Sequence, residues 1–156
     1  MMWCYYIVPQ SLSNLLTHCI FSTKNREPLL ASKDLRRSAH AYLATVLKDR
    51  KCPAVIVGGI ANHVHILCHL AKTESVSNLM EHLKASSSKW LKTQGSRIFT
   101  WQRGYGALSV SQSQADSVVA YIENQDEHHR TVTFEEECRS FLKGYRVAFD
   151  ERYVWD

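Results

Sequence analysis

Apolar and polar positions along the chain switch between a two-residue and a three-to-four-residue rhythm, and the switches mark its elements. From Leu15 to Thr23 the order Leu-Leu-Thr-His-Cys-Ile-Phe-Ser-Thr places Leu15, Cys19 and Phe21 on one side of an extended chain and Leu16, His18 and Ile20 on the other. This predicts a strand. Lys24-Asn25-Arg26-Glu27-Pro28 breaks it, and Ser32 can cap a helix in which Leu35, Ala39, Tyr42, Leu43 and Val46 recur at helical steps as far as about Arg50. A β-branched run from Pro53 to Val57 ends at Gly58-Gly59, and a second apolar run spans His63 to Leu70, together predicting a hairpin. From Ser75 the helical period resumes through Val76, Leu79, Met80, Leu83, Trp90 and Leu91. Gly104 to Val110 reads as a fourth strand. Ser111 with Gln114 and Ser113 with Asp116 form two overlapping capping boxes before Val118, Val119 and Ile122. A helix is therefore expected from near residue 113, carrying Tyr121 and Gln125. The tail, with Phe141, Leu142, Tyr145, Val147, Phe149, Tyr153 and Trp155, is too apolar for a free appendage and is expected to pack on the domain. The order strand, helix, strand, strand, helix, strand, helix defines an α+β protein of antiparallel sheet and helices.

A chain of 156 residues, 45% hydrophobic and 22% charged, matches one globular domain over 1–156. No apolar stretch approaches the roughly 20 residues of a spanning helix. The start Trp3-Cys4-Tyr5-Tyr6-Ile7-Val8 has neither a basic flank nor a small-residue cleavage site. Cytoplasmic residence is expected. Cys4, Cys19, Cys52, Cys68 and Cys138 are scattered without a Cys-x-x-Cys pair and read as reduced thiols. A net charge of +4 favours approach to a polyanion without identifying one.

The candidate chemistry starts at His63-Val64-His65. Residues two apart on a strand project from one face, so two imidazoles can meet one ion. Tyr121 and Gln125 are four apart on a helix, which stacks a phenol and an amide on one face. Each feature alone has an ordinary structural reading. Together they fit a phenol attacking a phosphodiester beside a cation that neutralises the phosphoryl oxygens. Two imidazole nitrogens and one amide oxygen leave positions for water and phosphate on an oxygen-preferring ion.

His63-Val64-His65 matches the histidine-hydrophobic-histidine signature of HUH endonucleases. The wider run Gly58-Gly-Ile-Ala-Asn-His-Val-His-Ile-Leu67 resembles its setting in single-tyrosine insertion-sequence transposases and the related REP-associated tyrosine transposases. Ser22-Thr-Lys-Asn-Arg26, Leu83-Lys-Ala-Ser-Ser87, Trp101-Gln-Arg-Gly-Tyr-Gly-Ala107, Ser109-Val-Ser111 and Tyr121-Ile-Glu-Asn-Gln-Asp-Glu-His-His129 resemble that family in the same order. The resemblance runs from about Ser11 to the C-terminus, leaving residues 1–10 as an atypical extension.

The resemblance implies a ferredoxin-like (RRM-like) antiparallel sheet with helices on one face, and a C-terminal helix carrying the tyrosine. It implies a homodimer, with the tyrosine helix in several relatives serving the partner subunit. It also implies cleavage and rejoining of single-stranded DNA with hairpin ends through a covalent 5′-phosphotyrosine. Tyr121 is then the nucleophile, and His63, His65 and Gln125 hold a divalent ion, Mg²⁺ or Mn²⁺. His69, His82, His128 and His129 read as structural or surface residues. Lys24, Arg26, Lys84, Lys89 and Arg103 are candidate phosphate contacts, with Trp90 or Trp101 as base-stacking platforms. Three other readings stay open: a domesticated nickase of chromosomal palindromic repeats, a non-catalytic single-strand-binding module, and a metallohydrolase lacking a His-Glu-x-x-His base motif.

Overall fold

The computed structural model describes residues 9–156, so the expectation of an atypical extension over 1–10 falls almost wholly outside it. Strands β1 (Leu16–Ser22), β2 (Ala54–Ile60), β3 (His63–His69) and β4 (Gly106–Val110) form one antiparallel sheet in the order β2-β3-β1-β4. Helix α1 (Lys33–Asp49) joins β1 to β2, and α2 (Val76–Thr93) joins β3 to β4. This is the ferredoxin-like arrangement, with the two central strands adjacent through non-local pairing.

Both crossover helices start where the sequence marks them. Ser32 accepts from the Leu35 N–H at 3.3 Å, and Ser75 accepts from the Asn78 N–H at 3.1 Å. Their apolar stripes, including Leu43 and Leu47 on α1 and Leu79, Leu83 and Leu91 on α2, are buried against Cys19, Phe21, Val64, Ile66 and Cys68 of the sheet. Burying such a side chain contributes about 1.5–3 kcal/mol. Cys19, Cys52, Cys68 and Cys138 are all free.

The opposite face carries Leu16, His18, Ile20, His63, His65 and Leu67, as the period of two requires. Helices α3 (Ala115–Glu123), α4 (Gln125–His128) and α5 (Phe134–Gly144) follow β4. Leu16 and Leu67 pack with Ala115 and Ile122 of α3, while Ile20 and Leu108 pack with Phe134, Phe141 and Trp155. Phe141 and Trp155 of the apolar tail thus pack within their own chain as expected, whereas Tyr145, Val147 and Tyr153 stay exposed. The sheet is covered on both faces, and the helix carrying Tyr121 is followed by two more.

Two local expectations differ from the structure. Ser111 and Ser113 bond to each other at 3.1 Å and cap no helix; the chain enters α3 through a 3-10 turn over Gln112–Gln114. The glycines expected to end β2 lie inside it. Gly58 is required there because a Cβ would stand 2.6 Å from Ile122 Cγ2 and 3.0 Å from the Ile122 carbonyl oxygen. Gly59 adopts φ 139°, and its Cβ would meet the His63 carbonyl oxygen at 2.2 Å. Gly58 thus lets α3 lie close against the sheet, and Gly59 lets β2 approach the backbone of β3 at His63.

Candidate active site

His63 and His65 are fully buried on the central strand β3 with their rings on the face toward α3–α5. Their ring centroids are 5.1 Å apart. Each ring is fixed from behind: His63 Nδ1 faces Asn62 Oδ1 at 2.8 Å, and His65 Nδ1 faces His18 Nε2 at 2.8 Å. Because Asn62 Oδ1 only accepts, His63 Nδ1 donates to it and the neutral ring turns the Nε2 lone pair inward.

Tyr121 lies on α3, 5.8 Å centroid to centroid from His65. The helix breaks at Asn124, whose backbone (φ −95°, ψ 21°) leaves the α-region, and Gln125 opens α4. The expected four-residue stacking survives this kink: Gln125 Nε2 still donates to the Tyr121 carbonyl at 3.4 Å. Gln125 is buried, and its Oε1 lies 3.1 Å from His63 Nε2 and 3.0 Å from His129 Nε2. His129 is fixed like the strand histidines, donating from Nδ1 to the Val132 carbonyl at 2.7 Å.

One residue at the centre had no sequence signal. Glu137 of α5, 3% exposed, reaches His65 Nε2 at 2.8 Å, His128 and His129 Nε2 at 3.0 Å each, and His63 Nε2 at 3.6 Å. Tyr121 donates its hydroxyl hydrogen to the Glu137 carboxylate. Thr133 starts α5 with a complete capping box to Glu136, which fixes the first turn where Glu137 sits.

The electrostatics follow from burial opposed by partners. Burial and the neighbouring His65 push His63 down to about 3, leaving its imidazole neutral and able to bind a cation. Burial raises the Glu137 carboxyl, but hydrogen bonds from His129 and His65 outweigh it and hold the group well below the usual carboxylate range. Burial, then the hydrogen bond to Glu137, pushes the Tyr121 phenol well above its ordinary value. Burial lowers His129, and its bond to Glu137 more than compensates.

Ligand atoms from His63, His65, His129 and Glu137 all lie within 4.8 Å of one another, so this group has the donors for a divalent ion. Inward-facing imidazole nitrogens gathered around a buried carboxylate are a donor set that a divalent cation would satisfy. The residues fit a metal. His129, read from sequence as structural or surface, belongs to the cluster. Its signal was present: Tyr121, Gln125 and His129 form one stripe at four-residue steps.

The candidate phosphate contacts are not among the residues whose ligand atoms gather in this cluster. Lys24, Lys89 and Arg103 are exposed. Arg26 pairs with Glu135 at 2.5 Å. Lys84 Nζ donates to the carbonyls of Gln102, Arg103 and Gly104 at 3.0, 3.0 and 2.6 Å. Trp101 offers no open face for a base, being buried between Phe21 and Phe99 with Nε1 donating to Ser87 Oγ at 2.9 Å, and half-buried Trp90 already stacks on Tyr42 at 4.7 Å. Among the described residues, no helix is long and apolar enough to cross a membrane.

A buried histidine pair on a ferredoxin-like sheet, with a tyrosine helix laid over it, defines the class of HUH-type transposase domains. Residues 11–125 match the family model described as "Transposase IS200 like", and the chain belongs to that family. In fold it is similar to the crystal structure of a candidate transposase from Deinococcus radiodurans R1, with a TM-score of 0.62 and 20% identity, covering 76% of this chain and 95% of that one. It is also similar to a REP-associated tyrosine transposase bound to a REP hairpin, with a TM-score of 0.58 and 18% identity, covering 96% of this chain and 92% of that one. No curated protein matches it in sequence. The matched family segment ends at Gln125, before His128, His129 and Glu137.

Proposed function

We propose that this IS200-like transposase cleaves and rejoins single-stranded DNA, with Tyr121 as the nucleophile. The observation that supports this reading most is the contact of the Tyr121 hydroxyl with a buried cluster containing both strand histidines and Gln125. In the proposed step the Tyr121 oxygen bonds to phosphorus and the bond from phosphorus to the 3′ oxygen breaks. The phenolic proton passes to the Glu137 carboxylate, and the 3′ oxygen leaves and takes a proton from solvent. Rejoining reverses each transfer, so the phosphodiester energy is kept in the phosphotyrosine.

His63, His65 and Gln125 face the place a divalent ion, Mg²⁺ or Mn²⁺, would occupy. Such an ion supplies charge neutralisation at the non-bridging phosphoryl oxygens. Asn62 and His18 orient the two strand imidazoles. Because Tyr121 reaches the histidines of its own chain, the geometry supports cleavage within one subunit. A homodimer, proposed on the family resemblance, would then carry two complete sites.

Hairpin DNA is the proposed substrate class, in keeping with the structural neighbour solved on a REP hairpin. The test is incubation with labelled single-stranded DNA carrying a hairpin, with Mn²⁺ or Mg²⁺, followed by denaturing electrophoresis and peptide mapping. A covalent adduct at Tyr121 is expected. An adduct at another residue, or none on any hairpin from the DNA flanking the gene, overturns the proposal.

A further inference from the structure

We infer that the ion's ligands extend beyond the family-matched segment, to His129 and Glu137, making a site of three imidazoles and one carboxylate that prefers a transition ion over Mg²⁺. The inference rests on the metal part of the proposed function and changes its ligand set.

Three observations carry it. First, the three imidazoles are pre-set: Nδ1 of His63, His65 and His129 is engaged by Asn62, His18 and the Val132 carbonyl respectively, while Nε2 of each turns toward Glu137. Metal-binding histidines are typically oriented in this manner, with the second ring nitrogen held by an outer partner. Second, Glu137 is a carboxylate 3% exposed, and its ion-pair partners among the described residues are His63, His65, His128 and His129, with no lysine or arginine. A buried anion needs compensating positive charge. With Nδ1 of His63 donating to Asn62, a cation at this point would satisfy the carboxylate and the inward-facing imidazole nitrogens together. Third, the ligand atoms of the four residues already lie within 4.8 Å of one another, from β3, the turn after α4, and α5.

The donor set fixes the metal class. Mg²⁺ demands oxygen ligands in near-ideal octahedral geometry, whereas imidazole nitrogens suit later divalent ions and carboxylate suits Mn²⁺. Three nitrogens and one carboxylate oxygen therefore favour Mn²⁺, Co²⁺ or Zn²⁺. The Glu137 carboxylate also ties the ion to Tyr121, since one oxygen faces His65 and the other accepts from the phenol.

The test uses the full metal-free chain without DNA. Calorimetric titration with Mn²⁺, Mg²⁺ and Co²⁺ gives affinities, and the visible absorption of the Co²⁺ form reports the ligands. At least about tenfold tighter binding of Mn²⁺ than Mg²⁺ is expected. His129→Ala and Glu137→Ala should each weaken Co²⁺ binding by at least about tenfold and alter its spectrum. Glu136→Gln and His82→Ala, both exposed, should do neither. Glu137→Gln and His129→Gln serve as variants closer in size should an alanine variant fail to fold, as judged by circular dichroism. Wild-type Co²⁺ affinity in folded variants at both His129 and Glu137, or equal affinity for Mg²⁺ and Mn²⁺, overturns the inference. Since no DNA is present, a chain that binds metal through these residues yet forms no adduct refutes the proposed reaction alone. A chain that forms the adduct with metal affinity unchanged by the variants refutes this ligand set alone.

Discussion

His18 holds His65 from behind, with its Nε2 2.8 Å from the Nδ1 of that ring on the neighbouring strand. The pairing register puts Ile20 opposite His65, so His18 reaches it diagonally across the β1–β3 ladder. His18 is itself buried, and burial, then the nearby His65, pushes it down to about 3, which keeps it neutral. A neutral imidazole can accept from His65 Nδ1–H and so leave His65 Nε2 free for an ion. His18 is thus a positioning residue, one shell removed from the reacting atoms.

His18→Phe is expected to keep the fold, since it exchanges one flat ring for another, while weakening Co²⁺ binding by roughly 10–100-fold, as outer-shell changes do. His18→Gln, which restores a hydrogen-bonding partner, should recover part of the loss. Metal titration beside a thermal melt checks this. Unchanged affinity in His18→Phe would show that the His65 ring needs no support.

Gly58→Ala is expected to act on the site through packing alone. Its methyl would stand 2.6 Å from Ile122 Cγ2, and Ile122 is the residue after Tyr121. Either β2 or α3 must move, and overpacking of this kind costs about 1–3 kcal/mol. A domain of this size loses roughly 2–4 °C of Tm per kcal/mol. The variant should melt lower and form adduct more slowly, with Mn²⁺ affinity less affected than adduct rate because the strand histidines stay on β3.

Both crossover helices were legible because each carries one unbroken period and a serine cap, and the strands because of their alternating or β-branched runs, though the end of β2 was hidden by its two glycines. The active-site helix was legible in outline only. Tyr121, Gln125 and His129 share a four-residue stripe, yet the break at Asn124 comes from a local backbone departure that no residue pattern announced. Glu137 was invisible for a different reason. It sits in the run Glu135-Glu136-Glu137 at the start of a helix, where acidic residues are ordinary partners of the helix dipole. Only the docking of α5 across the sheet distinguishes it from its neighbours: Glu136 is exposed and caps Thr133, while Glu137 turns inward among the histidines.

Lys84 and Arg103 give a contrast between a cation engaged by its own chain and one with no ion-pair partner among the described residues. Burial pulls the Lys84 ammonium down to about 8, and three carbonyl oxygens of residues 102–104 hold its hydrogens. Lys84→Met should remove hydrogen bonds to partly buried acceptors and cost about 0.5–1.5 kcal/mol, seen as a lower Tm. It should barely change the salt dependence of DNA binding. Arg103→Ala should leave Tm nearly unchanged and, if Arg103 meets a phosphate, reduce the salt slope for single-stranded DNA by about 0.7. Fluorescence anisotropy across a salt series separates the two.

Tyr121→Phe removes one oxygen and is expected to remove covalent chemistry without removing the fold. The phenol donates to Glu137, so its loss takes one hydrogen bond from a buried carboxylate. That carboxylate keeps His65, His128 and His129 as partners at 2.8–3.0 Å. The net cost should therefore fall within the about 0.5–1.5 kcal/mol of an ordinary hydrogen bond, below the cost of stranding a charge. The ring still packs edge-on against His65 and Phe141 at 5.8 and 5.6 Å, so α3 has no reason to shift. Hairpin binding and Co²⁺ affinity should stay within about twofold of wild type, while the adduct band disappears entirely. Tyr105 and Tyr145, both exposed, are engaged outside the cluster: Tyr145 donates to the Ser109 carbonyl at 3.0 Å, and Tyr105, just before β4, lies against the Lys84 ammonium. The measurement is denaturing electrophoresis of the wild-type and Phe proteins with the same labelled hairpin and the same Mn²⁺ concentration. Undiminished adduct in the Phe protein would move the nucleophile elsewhere, and loss of metal binding together with the adduct would make Tyr121 a structural prop of the cluster.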